Sequence, residues 1–261
     1  MKIEKIPANT KVSTLAIPRY YQGNNGKAVL VLHGFTGLVD EMDYLAQRLN
    51  RAGFTVSVPR LPGHGSNGED FMQSGWRDWL RHAIDAYLEL RSSFDTVYVS
   101  GLSMGGILTL LLAAHFPVDR IALAAPAVIN MNKMIYLSPL LRFFIRRSFI
   151  GHNEESDDPE RQHISKEYWS YRFGHQIYSL FRLQLMARRR LARIRAATLI
   201  LVSHSDEAVP VEVADLIEKR ISSSATKRIV FEKSSHIIVN DTDKEKAADE
   251  IVAWFSSKSS A

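Results

Sequence analysis

The chain has 261 residues, 46% of them hydrophobic and 23% charged, which suits a soluble globular protein with one large core and room for an inserted subdomain. It contains no cysteine, so disulfides, thiolate catalysis and cysteine-ligated metals are excluded. The formal charge of +5 is uneven: residues 127–195 hold thirteen Lys/Arg against six Asp/Glu, a surplus of seven, which leaves the rest of the chain at −2. Such runs ordinarily solvate a helical face, and a basic patch also draws in anionic partners. Residues 1–7 carry lysines with no long apolar segment behind them, unlike a secretory signal. No apolar run approaches the roughly 20 residues of a membrane helix, so a cytoplasmic location is expected.

A short strand is expected over residues 11–18, then a turn at Gly23-Asn24-Asn25-Gly26. Residues 28–32 are continuously apolar and read as a strand buried on both faces, as in a parallel sheet. His33-Gly34-Phe35-Thr36-Gly37 follows at once. Residues 41–52 form an amphipathic helix with Leu45 and Leu49 four apart, and Gly53 stands where a C-terminal cap glycine belongs. Residues 54–58 make a second strand, stopped by Pro59. The loop 60–74 contains Pro62-Gly63-His64-Gly65-Ser66 and leads to a helix over 76–90. A strand over 96–100 runs into Gly101-Leu102-Ser103-Met104-Gly105-Gly106, followed by a helix to about 115 and a strand over 120–125. Strand and helix alternate throughout, which argues for a parallel sheet with helices on both faces, an α/β fold.

The rhythm breaks at 127–195, where no strand pattern is visible and aromatic and aliphatic clusters alternate with arginines. An acidic stretch, 153–160, divides this segment. It reads as a helical cap inserted into a core made of residues 1–126 and 196–261. Alternation resumes with a strand over 198–202, a helix over 211–221, a strand over 227–231 and a helix over 244–255.

The stretch 101–106 is a strand, a tight turn and a helix with a serine at the tip. A side chain at Gly101 or Gly105 would strike the neighbouring strand or helix. This Gly-x-Ser-x-Gly pattern is a nucleophile elbow, although a serine in such a turn also occurs without chemistry. A serine hydroxyl needs a base within hydrogen-bond reach, and the base needs an orienting acid. In open α/β sheets functional groups collect beyond the carboxyl ends of strands. Asp206 and His236 occupy such loops downstream of Ser103, in the order Ser, Asp, His. Glu207 is an alternative acid. His204 is the weaker histidine, and Asp241 is read as the start of the last helix. The oxyanion needs two amides: that of Met104, directly after the serine, and that of Phe35, in the loop after the first buried strand. His33 and His64 precede Ser103 and are expected to pack loops.

These motifs together resemble the α/β-hydrolase superfamily, and within it the small bacterial carboxylesterases and monoacylglycerol lipases. The likeness rests on residues 33–37, Pro62-Gly63-His64-Gly65, the 101–106 elbow and the loops of Asp206 and His236, with the cap after residue 125. One departure is Ser235, where such enzymes often have glycine before the histidine. The resemblance implies an α/β-hydrolase fold, a mostly parallel sheet flanked by helices. It implies hydrolysis of a carboxylic ester through an acyl-serine intermediate, with Ser103 as nucleophile, His236 as base then acid, Asp206 as its orienter, and no metal or cofactor. The expected substrate is a small ester with an apolar acyl chain, a monoacylglycerol or a short-to-medium acyl ester. Acyl transfer on the same triad, and a non-catalytic binding protein on this fold, are the alternatives. The basic cap, through Arg142, Arg146, Arg147 and Arg188-Arg189-Arg190, is expected to make weak contact with an anionic membrane surface. Nucleic acid is not an expected partner, because the basic segment holds no recognition module.

Overall fold

The computed structural model describes residues 3–151, 158–223 and 225–257. Seven strands form one sheet: β1 (Arg19–Tyr21), β2 (Lys27–Leu32), β3 (Thr55–Val58), β4 (Thr96–Leu102), β5 (Arg120–Ala124), β8 (Ala197–Ser203) and β9 (Thr226–Phe231). Their spatial order is β1-β3-β2-β4-β5-β8-β9, with β1 antiparallel to β3 and every other pair parallel. Between them in sequence run the helices α1 (Asp43–Arg51), α2 (Gly68–Met72), α3 (Trp76–Arg91), α4 (Met104–Ala113) and α8 (Val213–Glu218), and α9 (Lys244–Ser256) follows β9.

Strand alternation builds two cores from one sheet. Ala28, Leu30 and Leu32 of β2 face the side covered by α3, α4 and α8, together with Val97, Val99, Ile121 and Leu123. Val29 and Val31 face the other side, where Leu45 and Leu49 of α1 and Ile251 and Phe255 of α9 lie. Both faces are covered, which is why these strands read as unbroken apolar runs instead of alternating ones. Gly53 has φ +92° and ends the turn that leads α1 into β3, the conformation expected of a cap glycine.

The 127–195 segment leaves the sheet after β5 and returns at β8. It contains α5 (Ser138–Leu141), β6 (Arg147–Phe149), α6 (Pro159–Ile164), a π-helical turn (Ser165–Trp169), β7 (Tyr171–Phe173) and the long α7 (Gly174–Arg188). Helix α7 lies against α3 and α4. Its buried glutamines fasten it to the carboxyl side of the sheet. The Gln184 side-chain amide donates to the Ala127 carbonyl at 2.7 Å, and that of Gln176 donates to the Ser74 carbonyl at 3.0 Å.

Three expectations from sequence are corrected. Residues 11–18 are not a strand: they hold a 3-10 turn, Thr14–Ala16, and the edge strand follows at Arg19–Tyr21. The 127–195 segment is not free of strands, because β6 and β7 pair antiparallel, with Arg147 opposite Phe173 and Phe149 opposite Tyr171. Two three-residue strands are too short to show a period. Asp241 does not start the last helix, which is capped at Asp243 and begins at Lys244. Of the acidic stretch 153–160, residues 153–157 lie outside the described residues.

On the outer face, Phe255 stacks on Tyr98 with ring centroids 5.0 Å apart and meets Phe54 edge-on at 6.5 Å. Phe255→Ala should therefore destabilise the fold by about 3–5 kcal/mol, read as a lower urea midpoint. Activity per folded molecule should be unchanged, since the cavity opens on the face away from α4.

Candidate active site

The turn from β4 into α4 carries Ser103 with φ 54° and ψ −112°. An L-residue avoids this conformation, and the neighbours impose it. The Ser103 N–H donates to the Ala124 carbonyl at 2.9 Å, while its carbonyl accepts from Ile107 and Ala127, each at 3.2 Å. The helix crosses the sheet so closely that a Cβ on Gly101 would lie 2.2 Å from the Gly105 carbonyl oxygen. One on Gly105 would lie 2.1 Å from that of Leu32. Only glycine fits either place. A Cβ on Gly34 would stand 3.4 Å from the Ser103 Cβ, so the loop after β2 lies directly beside the serine.

The loops after β8 and β9 end at the same edge of the sheet, since Leu102 of β4 pairs with Ala124, Ala124 with Leu201, and Ser203 with Phe231. There the His236 Nδ1 lies 2.8 Å and 3.0 Å from the two Asp206 carboxylate oxygens. Asp206 is almost wholly buried, and its Oδ1 also accepts the amides of Ala208 at 2.8 Å and Val209 at 2.9 Å. A carboxylate fixed by so many donors is a rigid acceptor. With Nδ1 engaged, Nε2 is the ring nitrogen left to exchange a proton. The two weaker candidates are exposed: Glu207 points outward, and His204 lies 3.9 Å from the still more exposed Glu232.

The structure adds supports that the sequence reading passed over. Buried Ser234 donates its hydroxyl to Asp243 at 2.8 Å and accepts the Asp243 amide at 3.0 Å, and its carbonyl takes the Ser203 hydroxyl. The Asp241 carboxylate accepts the Ser235 amide. Hydrogen bonds from Ser235, side chain first and then backbone, hold the Asp241 carboxyl below its ordinary range. His236 thus sits on a stapled loop. The density of Ser, Thr and Asp over 234–243 was the available signal, as local turn chemistry.

The Met104 amide opens helix α4, and the Phe35 amide lies in the four-residue turn Gly34–Gly37, closed by the Gly37 N–H on the Gly34 carbonyl at 3.2 Å. Among the described residues neither amide donates to a protein acceptor. Two free amides beside a serine, one at a helix N-terminus, suit an anionic oxygen. The Phe35 ring packs on Phe71 at 5.6 Å and Trp79 at 5.9 Å. A hollow of about 440 Å³ adjoins this turn, lined by Phe35, Thr36, Tyr168, Trp169, Phe173 and Ile177 among others. A second, of about 320 Å³ and mostly apolar, lies within the 127–195 segment and shares Ile177 and Arg172 with it.

His33 and His64 pack loops, as expected. The His33 Nδ1 donates to the Gly34 carbonyl at 3.0 Å and its Nε2 accepts the Leu61 amide at 3.1 Å, so the neutral ring bridges two loops. Burial pushes its pKa from 6.5 down to about 4. His64 donates to the Pro62 carbonyl at 3.1 Å and is also pushed well down, first by burial and then by His33.

Fold and site define an α/β-hydrolase, and the comparisons place the chain within that class. Residues 23–243 match the Hydrolase_4 family, described as serine aminopeptidase, S33, and the chain belongs to this family. It is 32% identical to the thermostable monoacylglycerol lipase of Bacillus sp. (strain H-257), over 90% of this chain and 93% of that one. It is 27% identical to a carboxylesterase of Bacillus subtilis (strain 168), over 87% of this chain and 91% of that one. A solved structure from work on LipS and LipT, two metagenome-derived lipolytic enzymes, superposes with a TM-score of 0.83 at 29% identity, covering 93% of this chain and 98% of the other. The protein is an ester hydrolase of the monoacylglycerol-lipase and carboxylesterase type. No helix among the described residues is long and apolar enough to cross a membrane.

The buried histidines make stability depend on pH. Below pH 6.5 the unfolded chain takes up protons that folded His33 and His64 refuse, so stability falls as pH drops. For His33 the loss levels off near pH 4, at about 3 kcal/mol. The urea midpoint should fall steadily from pH 7 to pH 4.5, and less steeply in His64→Phe. A midpoint flat over that range would show that neither ring is held neutral.

Proposed function

We propose that the protein cleaves carboxylic esters through an acyl-serine intermediate, with Ser103, His236 and Asp206 as its triad. The observation that carries this reading is the His236–Asp206 bond at the sheet edge where Ser103 stands strained beside two free amides. In the first half-reaction His236 Nε2 takes the Ser103 hydroxyl proton as Oγ attacks the ester carbonyl carbon. The carbonyl oxygen becomes an oxyanion that accepts the Phe35 and Met104 amides. The tetrahedral species collapses, the C–O bond to the alcohol breaks, and His236 gives the alcohol its proton. Water then repeats the sequence on the acyl-serine, releases the acid and restores Ser103. Asp206 holds the imidazole tautomer and steadies the imidazolium that forms twice in each cycle.

The 127–195 segment is the cap in this reading, and the 320 Å³ hollow inside it takes the apolar acyl chain. The relatives named above support a monoacylglycerol or a short-to-medium acyl ester as substrate. With p-nitrophenyl butyrate, Ser103→Ala should lose about a thousand-fold or more of kcat, and Asp206→Asn a large part of it. Wild-type turnover surviving in Ser103→Ala would end the mechanism. An acyl-length series on glyceryl and alkyl esters ranks the substrates.

The cap's outer face supports contact with a lipid surface. Phe143 and Phe144 are 73% and 78% exposed, and Met134, Leu137 and Leu140 are exposed beside them. Residues 127–151 contain Lys133, Arg142, Arg146 and Arg147 and no acidic residue. Such an apolar, basic surface suits an anionic bilayer, each cation contributing about 1 kcal/mol. Arg146 contributes less, since it is paired with Glu69 at 2.6 Å, and so do Arg188 and Arg190, whose guanidinium groups donate to the Val128 and Met186 carbonyls. The double variant Phe143→Ser, Phe144→Ser should sediment with phosphatidylglycerol vesicles about ten-fold less than wild type, with p-nitrophenyl acetate hydrolysis unchanged. Equal sedimentation of the two would remove the lipid contact.

A further inference from the structure

The turn that offers the Phe35 amide is itself strained. Thr36, its third residue, has φ +56°, as in a type II turn, where glycine is the ordinary occupant. A β-branched side chain at positive φ is a rare conformation that needs outside support. Two contacts supply it. The Thr36 hydroxyl donates to the Phe35 carbonyl at 2.6 Å, and the Trp169 indole N–H donates to the Thr36 carbonyl at 3.0 Å. The second contact comes from the cap, 133 residues away in sequence.

Trp169 is well placed to bear on this turn. It closes the π-helical turn Ser165–Trp169, a rare backbone form that is frequent at functional sites. The residue before it, Tyr168, is fully buried with its ring 4.8 Å from Phe71, so the segment is seated in the core. At the other end of the same stretch Arg161 pairs with Asp40 at 3.1 Å and Glu160 accepts the Thr14 amide at 3.2 Å. The stretch 160–169 is therefore tied through Arg161 and Trp169 to the segment after β2, and through Glu160 to the N-terminal turn Thr14–Ala16.

We infer that Trp169 is a positioning residue for the oxyanion site: its indole N–H holds Thr36 at positive φ and so keeps the Phe35 amide aimed beside Ser103. A relaxed Thr36 would take negative φ, which requires the Phe35–Thr36 peptide to turn over and shifts the backbone on which the Phe35 N–H depends. The cap thereby completes the catalytic face only while it is seated. This inference rests on the triad reading and on Phe35 as a donor.

Trp169→Phe keeps an aromatic ring in the hollow and removes the N–H. With p-nitrophenyl butyrate kcat should fall roughly ten-fold while KM stays within about twofold, the pattern of a lost transition-state contact. The affinity of n-butylboronic acid, whose boron takes the Ser103 oxygen as a fourth ligand, should fall by the same factor. Trp169→His, which restores an N–H, should recover part of both. Thr36→Gly relieves the strain, so in that background Trp169→Phe should cost less than about threefold. The inference is overturned if Trp169→Phe leaves kcat unchanged, or lowers kcat without weakening the boronate, or costs as much with Gly at 36. Turnover retained in Ser103→Ala, with no boronate binding to wild type, would instead sink the triad reading itself.

Discussion

The close crossing of α4 over β4 and β2 is the contact on which the site depends. Hydrogen bonds to Ala124, Ala127 and Ile107 hold the Ser103 backbone at φ 54° and ψ −112°, at a cost of about 1–3 kcal/mol. The surrounding core over-determines this geometry: α4 is buried along its whole length, and β4 is flanked by parallel partners on both sides. Gly101 and Gly105 let the helix approach to a distance that no side chain would allow. The hydroxyl stands at the head of the helix, beside an amide that the helix itself leaves free.

Three histidines show how environment sets role. His33 and His64 are fully buried, bonded to backbone groups, and pushed by desolvation into the neutral form. His33 bridges the loops after β2 and β3, while His64 bonds within its own loop and packs edge-on against the His33 ring. His236 is partly exposed, and its Nδ1 meets a buried carboxylate at 2.8 Å. The chemistry proposed for His236 and the packing of the other two follow from burial and partner, with the same side chain in each.

The 127–195 segment has two unlike faces. Inward, Tyr168, Phe173, Gln176 and Gln184 are buried against the core and its loops. Outward, the stretch around Phe143 and Phe144 leaves large apolar side chains in solvent, with Arg142 lying over the Tyr178 ring at 3.8 Å and Arg147 over Tyr171 at 4.1 Å. One face is tied to the core and to the loop after β2, and the other carries exposed apolar and basic side chains.

Much of the core was legible because its signals are local. Unbroken apolar runs mark strands covered on both faces, glycines mark close crossings and caps, and residues 28–32, 96–100 and 198–202 carry those signals plainly. The order of Ser103, Asp206 and His236 and their places at strand ends were readable for the same reason. Asp206 was preferred to Glu207 from its offset in the loop, and the path of that loop gives the physical difference: one is buried against His236 and the other faces solvent. The brief pairing of β6 with β7, the staple of Ser234 on Asp243, and the reach of Trp169 to Thr36 were hidden. Each joins residues whose meeting depends on how distant elements pack, and pattern along the chain carries no record of such long-range contacts.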